Sequence, residues 1–182
     1  VGVRVLYKGA WGFSASSDLT NLAAIFNKAL DNARAAAERV TFPIRLAEKD
    51  AIQASFHSPN EIDPFSVPFG DKVAFLQELD ARLNQPGVQQ RVGQLIFMRK
   101  QIVFLDSEGS QIEKTIIEAF PSIEVMGVDE QGVMHSRKFA PARLGATRGW
   151  ETADKPLVLE NADRIVREMN SVLVAEPCPK DV

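Results

Sequence analysis

The sequence predicts an α+β fold, an antiparallel β meander with packed helices and a partial internal repeat of hairpin plus helix. Three observations carry this. Apolar residues alternate with polar ones in several short runs, the two-residue period of half-buried strands. Three other stretches space their apolar residues three and four apart, the period of amphipathic helices. Turn-forming clusters such as Ser107-Glu108-Gly109-Ser110 and Asp129-Glu130-Gln131-Gly132 separate the strand runs. The chain has 182 residues, 45% of them hydrophobic and 25% charged, an ordinary globular composition with enough length to bury a core.

Val1, Val3, Val5 and Tyr7 form the first strand pattern, Lys8-Gly9 the turn, and Ala10 to Ser16 the returning arm. Ser17-Asp18 offers a helix N-cap. Leu19, Leu22, Phe26, Ala29, Leu30, Ala33 and Ala37 then follow at helical spacing, which predicts a helix to about Val40 with this stripe as core. Thr41 to Pro64 has no period and contains Pro43, Pro59 and Pro64, so it reads as an irregular surface connection. The predicted organisation is therefore a first α/β subdomain with its linker over 1–57 and a second over 58–182.

Pro68 and Asp71 mark a second helix, with Val73, Leu76, Leu79 and Leu83 as its stripe and Pro86-Gly87 as its stop. A four-stranded antiparallel meander follows. Val92 to Met98 and Ile102 to Leu105 are read as two strands joined by a turn at Arg99-Lys100. Ile112 to Val128 is one long strand interrupted at Pro121, and Val133 to Phe139 closes the sheet. A glycine-containing loop, Pro141 to Pro156, leads to a last helix carrying Leu159, Ala162, Ile165, Val166, Met169, Val172 and Leu173.

Composition excludes several functions. The net charge is −3, which provides no field for gripping phosphate backbones, so nucleic acid is disfavoured as a partner. No apolar run approaches the ~20 residues of a membrane span. The single cysteine, Cys178, allows no internal disulfide and points to a reducing, cytoplasmic setting. Only His57 and His135 are available as imidazole ligands and no HExxH is present, so neither a catalytic nor a metal-binding set is expected in this chain. The glycines form no phosphate-binding loop. The pairs Asp106/Glu108 and Asp129/Glu130 flank turns, where carboxylates are common. Arg137, Lys138, Arg143 and Arg148, with Phe139 and Trp150 interleaved, read as a solvated basic patch.

Several segments carry a resemblance. Gly2-Val3-Arg4-Val5 with Gly9-Ala10-Trp11-Gly12-Phe13-Ser14-Ala15-Ser16 and Asp18-Leu19 is one. Others are Asp63-Pro64-Phe65-Ser66-Val67-Pro68, Ser107-Glu108-Gly109, Gly149-Trp150-Glu151 and Ala175-Glu176-Pro177-Cys178-Pro179. In this order they resemble the TldD/PmbA family, first described as modulators of DNA gyrase and also as peptide-maturation proteins. Trp11-Gly12-Phe13 favours its TldD-like branch.

The resemblance implies a zinc metallopeptidase whose HExxxH helix and further cysteine ligand lie in a C-terminal domain. On that reading this chain holds no cofactor and Cys178 is no zinc ligand. The chain is then an N-terminal-half fragment, which fits a strand pattern that begins at Val1 without a Met. Its expected function is the substrate-facing and assembly region of a peptidase acting on unfolded peptides. The expected partner is a second subunit, of its own kind or PmbA-like. The alternative is a non-catalytic binding or interaction module. In the loop between the last strand and last helix, glycines pair with basic and aromatic residues. His135, Arg137, Arg143, Gly145, Arg148, Gly149 and Trp150 are therefore the candidates for a peptide path. Against this stands a plain surface connection with Trp150 packed on the last helix.

Overall fold

The computed structural model describes residues 1–139, 146–153 and 155–176. The chain parts into two compact units, Val1–Asp50 and Ala51–Val182.

The first unit is a hairpin with one helix. Strands β1 (Gly2–Tyr7) and β2 (Ala10–Ala15) pair antiparallel, with Val5 opposite Gly12. Both turn residues, Lys8 and Gly9, have positive φ, the geometry a tight two-residue hairpin requires. Helix α1 (Leu22–Ala37) starts three residues later than expected. Asn21 is its cap, its side chain accepting the N–H of Ala24 at 3.1 Å, while Asp18 accepts the N–H of Thr20 instead.

Ile25, Ala29 and Ala33 face the hairpin, and small residues let the two backbones come close. A Cβ on Gly12 would sit 2.1 Å from the Ala29 carbonyl oxygen, so this position admits only glycine. The predicted core stripe is corrected here. Ala29 and Ala33 belong to it, whereas Leu19, Leu22 and Phe26 are exposed and Ile25 takes their place.

The second unit is a sheet with helices on one face. Its elements are β3 (Gln53–His57), α2 (Phe69–Leu83), β4 (Gln90–Leu105), β5 (Gln111–Val128), β6 (Met134–Phe139), a short 3-10 turn (Trp150–Ala153) and α3 (Lys155–Leu173). Strand β5 is central. The whole of β4 runs antiparallel along one side of it. On the other side, β3 pairs parallel with residues 111–115 and β6 antiparallel with residues 123–128. Residues at alternate positions of β5, among them Ala119, Ile123 and Val125, face the helices and are buried. Phe75, Leu79 and Leu83 of α2 and Val158, Ala162, Ile165 and Met169 of α3 complete the core.

The α+β architecture is as the sequence predicts, and the hairpin-then-helix order of the first unit returns as β5, β6 and α3. Two expectations are corrected. There is no turn at Arg99-Lys100: β4 is continuous, so the antiparallel meander has three strands. The two cations instead point to opposite faces, Arg99 to Asp63 and Lys100 to Glu118. The fourth strand is β3, inside the stretch read as irregular. It is tied at its end by Ser58, whose N–H donates to the Thr115 carbonyl and whose hydroxyl accepts the N–H of Ile117 at 2.8 Å.

Candidate functional site

The outer edge of β4 is the feature with the most evident capacity to bind. Gln90–Leu105 is rich in β-branched and aromatic residues and contains no proline, so it holds a strand of about 50 Å at ~3.3 Å per residue. It is a terminal strand of its sheet. Its outer backbone N–H and C=O groups therefore have no ladder partner among the described residues.

Proteins commonly blunt such an edge with free lysines, prolines or bulges. Here all three cations of β4 are drawn back onto the chain's own carboxylates. The Arg91 guanidinium donates to both oxygens of Asp80 on α2, at 2.5 and 3.2 Å. Arg99 donates to Asp63 at 2.5 Å. Lys100 Nζ lies 2.6 Å from Glu118 on β5, an ion pair without hydrogen-bond alignment.

The helix-facing side of β4 is braced from behind. Arg99 also stacks over the Phe65 ring at 4.4 Å, so it holds the 61–66 loop by charge and by π contact. That loop is fastened again by Gly149-Trp150-Glu151. Trp150 donates its backbone N–H to the Ile62 carbonyl at 2.8 Å, and Glu151 accepts the N–H of Ile62 at 3.1 Å and of Gly149 at 2.8 Å. A Cβ on Gly149 would lie 2.0 Å from the Ile62 carbonyl oxygen. The Trp150 indole sits between Phe75 of α2 and Phe97 of β4, at 6.0 and 5.7 Å between ring centres.

The residues singled out in the sequence fall in different places. Gly149 and Trp150 are in this brace, and Arg148 beside them is exposed. His135 and Arg137 lie on β6, across β5 from β4. His135 Nε2 is 2.7 Å from Asp129 Oδ2, and Asp129 Oδ1 accepts the N–H groups of Gln131 and Val133. The His135 hydrogen bond first, then these backbone donors, hold the Asp129 carboxyl below its ordinary range, against a smaller opposing effect of burial. Arg143, Gly145 and Cys178 lie outside the described residues. Sequence reasoning missed Asp63, Asp80, Arg91 and Arg99, whose partners are far apart in the chain.

Among the described residues no three His, Cys, Asp or Glu side chains converge as metal ligands. A catalytic metal, which needs three or four converging ligands, does not fit the described side chains. No helix among the described residues is long and apolar enough to cross a membrane.

Residues 1–37 match the family model described as PmbA/TldA metallopeptidase domain 1. Over 184 aligned residues, covering 99% of the chain, the sequence is 25% identical to a metalloprotease of Methanocaldococcus jannaschii. It is 23% identical over 177 residues, 97% of the chain, to a metalloprotease of Methanothermobacter thermautotrophicus. The chain spans 39% and 37% of the length of these two relatives.

Proposed function

We propose that the chain is a TldD/PmbA-type protein, the substrate-holding N-terminal region of a zinc-dependent, TldD-like peptidase acting on unfolded peptides in the cytoplasm; the match of residues 1–37 to that family's first domain and the two metalloprotease relatives support the reading. The observation that supports this best is the sixteen-residue outer edge of β4, which has no ladder partner among the described residues. An extended peptide adds there as one more strand. Main-chain hydrogen bonds supply the affinity, so the binding tolerates many sequences, as a peptidase of unfolded chains requires.

The remaining parts of the reading follow the family. Zinc and the residues that cleave the peptide bond belong to a domain outside this chain. A second subunit, identical or PmbA-like, completes the enclosure around the substrate. Gly149 and Trp150 support the peptide path from behind, through the 61–66 loop and Phe97. Arg148, and His135 with Arg137 on β6, are the other candidates along it.

Fluorescence anisotropy of this chain with a labelled peptide of alternating threonine and valine tests the edge. Two derivatives are added, N-methylated at every second amide in either of the two possible phases. β-Addition predicts that one phase abolishes binding and the other leaves it nearly intact, because only alternate amides of an added strand face β4. Equal loss in both phases, or in neither, overturns the reading.

A further inference from the structure

Trp11-Gly12-Phe13 lies on β2, in the first unit, and takes no part in the β4 edge. The β1–β2 hairpin has two faces. Val3, Ala10 and Gly12 face α1. Arg4, Trp11 and Phe13 stand on the other face, with Arg4 opposite Phe13 and Trp11 opposite Leu6. Trp11 is 42% and Phe13 56% exposed.

The Phe13 ring lies against Gly2, where a Cβ would come within 3.3 Å of it, so the ring leans away from Trp11. Beside it is a hollow of about 250 Å³ lined by Arg4, Trp11, Gly12 and Phe13. That is room for a side chain, below the ~300 Å³ at which small-molecule pockets begin. The backbone beneath is fixed, because Gly12 packs on the Ala29 carbonyl and Asn32 Nδ2 donates to the Phe13 carbonyl at 2.9 Å.

Charge decides what can sit there. Neither strand contains Asp or Glu, and the Arg4 guanidinium has no carboxylate partner among the described residues. In the second unit, by contrast, Arg91, Arg99 and Lys100 are each paired with a carboxylate of their own chain. A guanidinium is weakly hydrated and takes a carboxylate through two parallel N–H donors. A single one suits a carboxylate, whereas a phosphate is commonly held by a cluster of arginines. Trp11 and Phe13 add rigid apolar area, and tryptophan and arginine are the residues that carry most binding energy at protein interfaces.

We propose that this face is a docking site for an acidic protein segment, which places a carboxylate on Arg4 and a nearby apolar side chain in the hollow beside Trp11 and Phe13. In an extended segment the two side chains are two residues apart, the spacing that puts them on one side of the backbone. The site lies on the first unit alone and does not depend on the β4 edge.

The test uses this chain and a labelled peptide with phenylalanine, glutamate and leucine at alternate positions in a Gly/Ser frame, beside the same peptide with glutamine for glutamate. The glutamate peptide is expected to bind about tenfold more tightly, the size of one charge-assisted hydrogen-bonded pair. Raising the salt to about 1 M should shrink the difference in the parent chain. Arg4→Gln should bring the two peptides to equal affinity, and Trp11→Ser should weaken both by about tenfold. Thermal melts check that both variants are folded. Equal affinity of the two peptides for the parent chain, binding of neither, a preference that survives Arg4→Gln, or unchanged affinity in Trp11→Ser overturns the inference and leaves the β4 reading intact. Competition by the threonine–valine peptide would move the ligand to β4 and overturn it as well. Displacement of the glutamate peptide by a single-stranded oligonucleotide, or self-association abolished by Trp11→Ser, would give the face a different occupant and overturn it too.

Discussion

The carboxylate of Glu151 accepts the backbone N–H of Ile62, a hydrogen bond of 3.1 Å that joins residues 89 positions apart. Trp150 donates its own N–H to the carbonyl of the same Ile62. One residue of the 61–66 loop is thus held at both its backbone groups by two neighbours that precede α3. This is why Asp63 stands where Arg99 of β4 can reach it.

The Glu151 carboxyl is held below its ordinary range. Burial pushes it up, but N–H groups of Gly149, of Glu151 itself, of Ile62 and of Glu61 together outweigh that. A lowered folded value means the stabilisation is complete above the ordinary carboxylate range and is lost as pH falls through the folded value. Glu151→Gln should cost about 1 kcal/mol at neutral pH. Melting curves of parent and variant should converge as the solution is acidified; a gap that stays constant with pH would contradict this account.

Phe75 is fully buried and meets the edge of the Trp150 indole. Phe75→Ala should cost about 3–5 kcal/mol, through lost burial and the cavity left behind. Trp150→Ala should also lower the melting temperature, because its ring spans α2 and β4. Chemical denaturation of the two variants checks both. An unchanged midpoint for Trp150→Ala would show that the indole is not a structural prop.

In α1, Ile25 is buried and its neighbour Phe26 is 54% exposed. Ile25→Asp should unfold the first unit, since an unpaired charge there costs roughly 3 kcal/mol or more. Phe26→Ser should change stability by less than about 0.5 kcal/mol. Hydrogen exchange at the β1 and β2 amides distinguishes the two. Similar protection in both variants would mean that the helix phase described here is wrong.

Asp129 ties the β5–β6 turn through His135 and two backbone donors. Its carboxyl is also lowered, so its contribution is present at neutral pH and disappears in acid as it protonates. In Asp129→Asn the amides of Gln131 and Val133 should exchange faster than in the parent at neutral pH and equally fast below the carboxylate range. Equal exchange at neutral pH would exclude the tie.

The sequence makes element types legible where one period dominates, and fails where the deciding contact is distant. In α1 the helical period is plain, but apolar residues cover more than one face. Only the narrow hairpin decides that Ile25, rather than Leu22 or Phe26, is inside. Strand β3 is short and wholly exposed, so it carries no alternation, and its parallel partner lies more than fifty residues downstream. Two adjacent cations look like a turn until Asp63 and Glu118 are seen to hold them on opposite faces. Of the proposed binding surface, the residues of β4 could be read as strand but not as edge. Strand order depends on what pairs with β5, which no local pattern reveals.

The central position of β5 also governs the order in which the second unit can be made. A ribosome delivers β3, α2 and β4 before any of β5, and both neighbouring strands depend on it for their ladder bonds. Until residue 111 and beyond have emerged, the long apolar strand β4 has both edges open and no sheet to join. Native pairing must then close loops of very different length, a tight β4–β5 hairpin and the distant β3–β5 junction, and the longer closure is the slower one. The nascent chain therefore passes through an interval in which β4 can pair with strands of other molecules, and holding by a chaperone during synthesis would protect its yield.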